Sequence, residues 1–90
     1  MEKKKIFDFT KVAVEVEIDV FQDIDISKAV GNTVHQNTSD IGLDDLARTI
    51  YHKGKVELSK IEADAVNTMV QRSNLLISVK TAVSKLFNNK

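Results

Sequence analysis

Residues 12–20 read Val-Ala-Val-Glu-Val-Glu-Ile-Asp-Val. Every second residue is a β-branched apolar one, and the residues between them are alanine or acidic. Side chains alternate between the two faces of a β-strand, so this period of two indicates one apolar face and one charged face. The stretch therefore predicts one long, half-buried strand of roughly 30 Å. Its apolar face consists of Val12, Val14, Val16, Ile18 and Val20.

Two shorter segments also have strand character. Residues 6–9, Ile-Phe-Asp-Phe, would let the long strand begin near residue 6, but Phe7 and Phe9 have the opposite parity to Val12. A bulge, or a separate short strand, would accommodate this change of phase. Residues 56–58, Val-Glu-Leu, form the other fragment.

The rest of the chain shows helical spacing of apolar residues. Ser27 is a candidate N-cap for a helix that Gly31 weakens, Gly54 follows a helix where a left-handed cap is expected, and Ser59 with Glu62 forms a capping-box pattern. We expect an α+β fold, with the long N-terminal strand followed by three to four short helices in one domain of residues 1–90. The predicted helices cover about residues 27–35, 43–53, 60–72 and 75–88.

The composition excludes several classes of protein. The chain has 90 residues, a formal net charge of zero and no cysteine, so it favours neither a generally basic nucleic-acid binder nor a disulfide scaffold. No apolar run approaches the roughly 18 residues of a membrane span, and Lys3-Lys4-Lys5 leads into alternating acidic sequence rather than the apolar block of a signal peptide. We expect a cytoplasmic protein without a membrane partner.

The sequence contains no catalytic or cofactor-binding pattern. His35 and His52 are far apart and have no metal-binding spacing, and the three glycines are isolated from one another. The acidic residues Glu15, Glu17 and Asp19 are most simply the solvated face of the strand. We therefore expect a protein that is not an enzyme and has no catalytic residue, metal or cofactor.

The long strand raises the question of its hydrogen-bonding partner. Backbone donors and acceptors need partners, and the other strand-like segments are much shorter. One hypothesis is that the strand pairs with a second copy across a two-fold axis, which makes Val12–Val20 a candidate homodimer interface. The alternative is that the short segments pair with it inside the chain, in a small sheet covered by helices.

The basic residues suggest a second functional hypothesis. After Asp64 the chain contains basic residues but no acidic one. Arg72, Lys80 and Lys85 are therefore a candidate basic surface for nucleic acid, or for acidic parts of the same or another protein.

The C-terminal half shows a resemblance to a known group of proteins. The motifs that carry it are Ala47-Arg48-Thr49-Ile50-Tyr51, Gly54-Lys55-Val56-Glu57-Leu58-Ser59, Glu62-Ala63, Leu75-Leu76 and Val79-Lys80-x-Ala82. Across residues 43–87 the chain resembles small uncharacterised proteins encoded in bacterial prophages and integrated elements. The resemblance implies an accessory protein of a mobile element. We expect it to act by protein–protein interaction or homo-oligomerisation, with the small nucleic-acid-binding regulator as the alternative.

Overall fold

The computed structural model describes residues 3–88 of the chain, and within them it contains four strands and four helices. Their order confirms the predicted α+β class, because a strand-rich N-terminal part precedes most of the helical part. The elements are β1 (Lys5–Asp8), β2 (Val12–Glu17), β3 (Val20–Ile24), α1 (Ser27–Asn37), α2 (Ile41–Lys53), β4 (Lys55–Leu58), α3 (Lys60–Arg72) and α4 (Ile77–Asn88).

The prediction of one long strand over residues 12–20 is wrong. A turn at Ile18 and Asp19 divides it into β2 and β3, which pair antiparallel as a hairpin. Asp19 has a φ of 64°, in the left-handed region that aspartate tolerates better than most residues, and its N–H donates to Glu15 Oε2 over 2.8 Å. A turn of two residues leaves the alternation of apolar and polar residues in phase, so the period of two could not reveal it.

The strands form two separate ribbons that meet at Phe9. β1 pairs antiparallel with β4, and β2 pairs antiparallel with β3. The Phe9 N–H donates to the Gly54 carbonyl oxygen over 2.7 Å, and the Phe9 carbonyl oxygen accepts from the Ile26 N–H over 2.9 Å. Residues 5–8 are thus the separate short strand that the change of phase allowed, and the backbone of Phe9 links the two ribbons.

The helix boundaries follow the local signals in most places. Ser59 and Glu62 form the predicted capping box, and Gly54 ends α2 with a φ of 74°. The expectation for Ser27 is wrong: Ile26 is the N-cap of α1, and the Ser27 hydroxyl donates to Asp25 Oδ1 over 2.5 Å. The Ser27 side chain is therefore engaged by the turn that precedes the helix. α2 begins at Ile41, because Asp40 caps it by accepting from the Gly42 and Leu43 N–H groups.

One hydrophobic core joins the ribbons to the helices. α1 packs along α2, while α4 packs on β2 and α3. At the other ribbon the Phe87 ring makes edge-to-face contacts with Phe7 and Phe9, at centroid distances of 4.9 and 5.9 Å. The largest fully buried side chains are Phe9, Ile50, Leu58, Val30, Val34, Val66, Val70 and Val83.

Candidate functional site

The β2–β3 hairpin places the five residues of the predicted strand interface in two different environments. Val12 and Val14 lie in the core of the chain itself. Val16, Ile18 and Val20 lie near the tip, where their side chains are exposed, and Ile18 is 89% exposed. The change occurs at a bulge between Glu15 and Glu17, which alters the register of the hairpin just before the turn. The first two of these apolar side chains therefore lie in the core, and the last three lie in solvent.

β3 is the most exposed strand of the hairpin. Its residues from Val20 to Asp23 are exposed, and Ile24 is partly buried. One edge of β3 pairs with β2, whereas the other edge makes no backbone hydrogen bond within residues 3–88. An unpaired strand edge presents a row of N–H and C=O groups that can pair with another chain. Sequence reasoning missed this edge because it treated Val20 as the end of one strand rather than the start of another.

An open depression lies between the outer face of the hairpin and α4. Ala13 and Phe21 line it from the hairpin, and Ala82, Lys85 and Leu86 line it from the helix. The Lys85 Nζ lies 5.5 Å from the centroid of the Phe21 ring, within the range of a cation–π contact. Phe21 is 52% exposed and belongs to β3, so the depression includes one side chain of this strand.

The three residues of the predicted basic surface are not gathered at one place. Arg72 lies at the end of α3, beside Thr33 and Asn37 of α1. Lys80 and Lys85 are both on α4, but five residues of an α-helix correspond to a rotation of roughly 140°. Lys80 is partly buried, while Lys85 lies over Phe21. The structure thus gives Arg72 and Lys85 different surroundings.

A polar cluster joins α1 to α2. His35 Nδ1 is hydrogen-bonded to Asp44 Oδ1, and Arg48 Nε donates to Asp44 Oδ2 over 3.1 Å. The hydrogen bond with His35 is the main reason why the pKa of the Asp44 carboxyl is lowered. Desolvation opposes it, and the hydrogen bond with Arg48 contributes a smaller lowering. The sequence showed only that His35 and His52 have no metal-binding spacing, and the nine-residue separation of His35 from Asp44 offers no local signal of their contact.

The His35–Asp44 pair orients an imidazole, which is one part of a general-base arrangement. A nucleophile would have to lie within hydrogen-bonding reach of the ring to make it catalytic. Within residues 3–88, Asp44 is the one side chain hydrogen-bonded to His35. The pair therefore has a sufficient explanation as a contact that holds α1 against α2.

Between residues 3 and 88, no three His, Cys, Asp or Glu side chains lie close enough together to hold a metal ion. Each helix in the same range is too short or too polar to cross a membrane.

Comparison of the chain with protein-family models, curated proteins and solved structures finds no match. The resemblance of residues 43–87 to prophage-encoded proteins consequently stays a prediction. Both sheets are two-stranded, so each of the four described strands has one edge without a strand partner. β3 differs from the others in having four consecutive exposed residues, and its edge with the depression beside it is the candidate surface.

Proposed function

We propose that this chain is a non-enzymatic interaction protein that acts by homo-oligomerisation, and that the β2–β3 hairpin is the surface through which it associates. The observation that supports this most strongly is the unpaired edge of β3. Monomeric proteins usually shield such an edge with charges, proline or a covering element. Here four consecutive edge residues are exposed, and Asp23 is the one charged residue in the strand.

The apolar side chains near this edge provide further support. Ile18, Val20 and Phe21 are consecutive or nearly so along the chain, and all three are exposed. Clustered exposed apolar side chains are typical of association surfaces, whereas single ones are common on any protein. A two-stranded ribbon is also marginally stable by itself, so pairing with further strands would stabilise it.

The experiment that tests the proposal is the molar mass of the purified chain by light scattering across a wide concentration range. We expect a mass above the 10.1 kDa of one chain, rising with concentration. Phe21→Ser should shift the population toward the monomer. The matched control is Ile41→Ser, which removes another exposed apolar side chain on α2, a helix that packs mainly on α1, and should leave the mass unchanged. A wild-type chain that is monomeric at every concentration would contradict the proposal.

The alternative function is nucleic-acid binding by Arg72, Lys80 and Lys85. The different surroundings of Arg72 and Lys85 count against a single binding surface. A gel shift that weakens steeply as salt rises would favour this alternative, because phosphate contacts release bound cations. The proposed prophage or mobile-element origin is a separate point, and the identity of the neighbouring genes would test it.

A further inference from the structure

We infer that two copies of the chain join by antiparallel pairing of β3 with β3, about a two-fold axis that passes through Gln22. This inference rests on the proposed homo-oligomerisation and specifies its geometry. The two hairpins would then form one four-stranded sheet in the order β2-β3-β3-β2. The β3 edges would no longer be exposed in this sheet.

The backbone of β3 is arranged for this pairing. Val20 flanks the two-residue turn and is paired with Glu17, so its N–H and C=O point toward β2. Because these groups alternate in direction along an antiparallel strand, the N–H and C=O of Phe21 and Asp23 point to the free edge. With the axis at Gln22, each Phe21 exchanges two hydrogen bonds with Asp23 of the second copy, which gives four in total.

The charges of the strand select this register over its neighbours. An axis at Gln22, the middle residue of the five in β3, puts Val20 opposite Ile24 and Phe21 opposite Asp23. An axis at Asp23 would place that carboxylate opposite its own copy. An axis at Phe21 would place Asp23 opposite Asp19. Like charges directly opposite one another destabilise a strand pair. The Gln22 register is the one of the three that pairs all five residues of β3 with one another and puts no like charges opposite within the strand, and Asp19 and Asp25 face each other only beyond its ends.

Lys85 supplies the complementary charge. Its Nζ lies 5.5 Å from the Phe21 ring, on the outer face of the hairpin. In the Gln22 register Phe21 is directly opposite Asp23 of the second copy, and Glu15 and Asp23 of the same chain lie on this face as well. Each Lys85 thus pairs with a cluster of carboxylates to which the second copy adds Asp23, and the two-fold axis produces two such ion pairs in the dimer. This is a role for Lys85 in association between copies of the chain.

A single cysteine at the axis tests the register. The natural chain has no cysteine, so Gln22→Cys introduces one thiol per chain. Opposed residues of a pair without mutual hydrogen bonds have Cα atoms about 4.5 Å apart, within the range that a disulfide spans. We expect rapid oxidation of Gln22→Cys to a covalent dimer. The matched control is Gln36→Cys, an exposed position on α1, which should cross-link much more slowly.

Charge reversal tests the ion pairs. Lys85→Glu and Asp23→Lys should each weaken dimerisation by about tenfold, since every dimer contains two of these exposed pairs. The double variant carrying both changes should recover most of the wild-type affinity, because the opposite charges again face each other. Circular dichroism of each variant shows whether the monomer fold is intact.

The outcomes separate this inference from the function on which it rests. A wild-type chain that stays monomeric overturns both. A wild-type oligomer in which Gln22→Cys cross-links no faster than Gln36→Cys overturns the Gln22 register while the proposed function stands. Fast cross-linking without rescue in the double charge variant overturns the role of Lys85 alone.

Discussion

Gly31 occupies the point at which α1 comes closest to α2. A Cβ atom added there would lie 2.8 Å from both the Ala47 carbonyl oxygen and the Tyr51 Cβ. Real Cβ atoms do not approach other atoms this closely, so a side chain would push the helices apart. The sequence alone presents Gly31 as a weak point of a helix, whereas the packing of α1 on α2 requires it.

Helix propensity and helix packing predict opposite changes in the free energy of unfolding for Gly31→Ala. Helix propensity alone would stabilise the protein by about 1 kcal/mol. The close approach of α2 predicts instead a destabilisation of about 1–3 kcal/mol, as is typical of overpacking. Urea unfolding measures the difference. Gly42→Ala is the control, because its added Cβ would approach only the Asp40 side chain, at 3.1 Å. A more stable Gly31→Ala variant would show that the helices can separate at little cost.

Val14 and Val16 have the same residue type and the same parity, but their surroundings differ. Val14 is 3% exposed and Val16 is 42% exposed. Val14→Asp should lower the free energy of unfolding by about 3 kcal/mol or more, because it buries a carboxylate without a partner. Val16→Asp should cost less than about 1 kcal/mol, as most surface changes do. Equal effects in chemical denaturation would mean that the tip of the hairpin is buried.

At the scale of elements, the contact between α1 and α2 depends on the ionised form of Asp44. The hydrogen bond with His35, and then that with Arg48, lowers the pKa of the Asp44 carboxyl in the folded protein. A carboxyl with a lowered folded-state pKa stabilises the fold above its unfolded pKa, near 4. This contribution is lost as the pH falls through the folded-state value.

This dependence predicts how Asp44→Asn behaves with pH. The variant should unfold at a lower temperature than the wild type at neutral pH, and the difference should shrink as the pH falls below about 4. Thermal unfolding across this range measures it. Asp45→Asn is the matched control, since the Asp45 side chain makes no hydrogen bond or ion pair within residues 3–88. If the unfolding temperatures of Asp44→Asn and the wild type differed by the same amount at all pH values, the pKa of Asp44 would not be lowered in the folded protein.

At the scale of the whole molecule, the two ribbons and four helices share one hydrophobic core, and Phe9 and Phe87 lie where the ribbons meet α4. The backbone of Phe9 bonds to both Gly54 and Ile26, and the Phe87 ring of α4 packs on Phe7 and Phe9. The first and last described elements therefore meet in the same part of the core.

We expect unfolding in a single cooperative transition. The loss of helix by far-ultraviolet circular dichroism should coincide with the change in fluorescence of Tyr51, the one tyrosine of the chain. Phe87→Ala should lower the free energy of unfolding by about 3 kcal/mol or more, and both transitions should shift together to lower denaturant concentration. Leu76→Ala, at an exposed position, should have little effect. Separate transitions for the two probes would mean that the helices and ribbons unfold independently.

Local features were predictable from the sequence to the extent that neighbouring residues decide them. The capping box of Ser59 and Glu62 and the left-handed Gly54 depend on a few adjacent residues, and both are confirmed. The candidate site was located only in part. The sequence pointed to residues 12–20, but it assigned their association surface to the face that includes Val12 and Val14, which the core of the chain covers.

The sequence by itself determined the α+β class and the positions of the helices, because residue periodicity and caps act over a few residues. Tertiary structure alone decided that residues 12–20 form a hairpin, since a two-residue turn preserves the alternation on which the strand was predicted. It also decided which strands pair with each other, that β3 is exposed, and that His35 meets Asp44 across two helices. Contacts between distant segments depend on how the elements pack, and local periodicity carries no information about that.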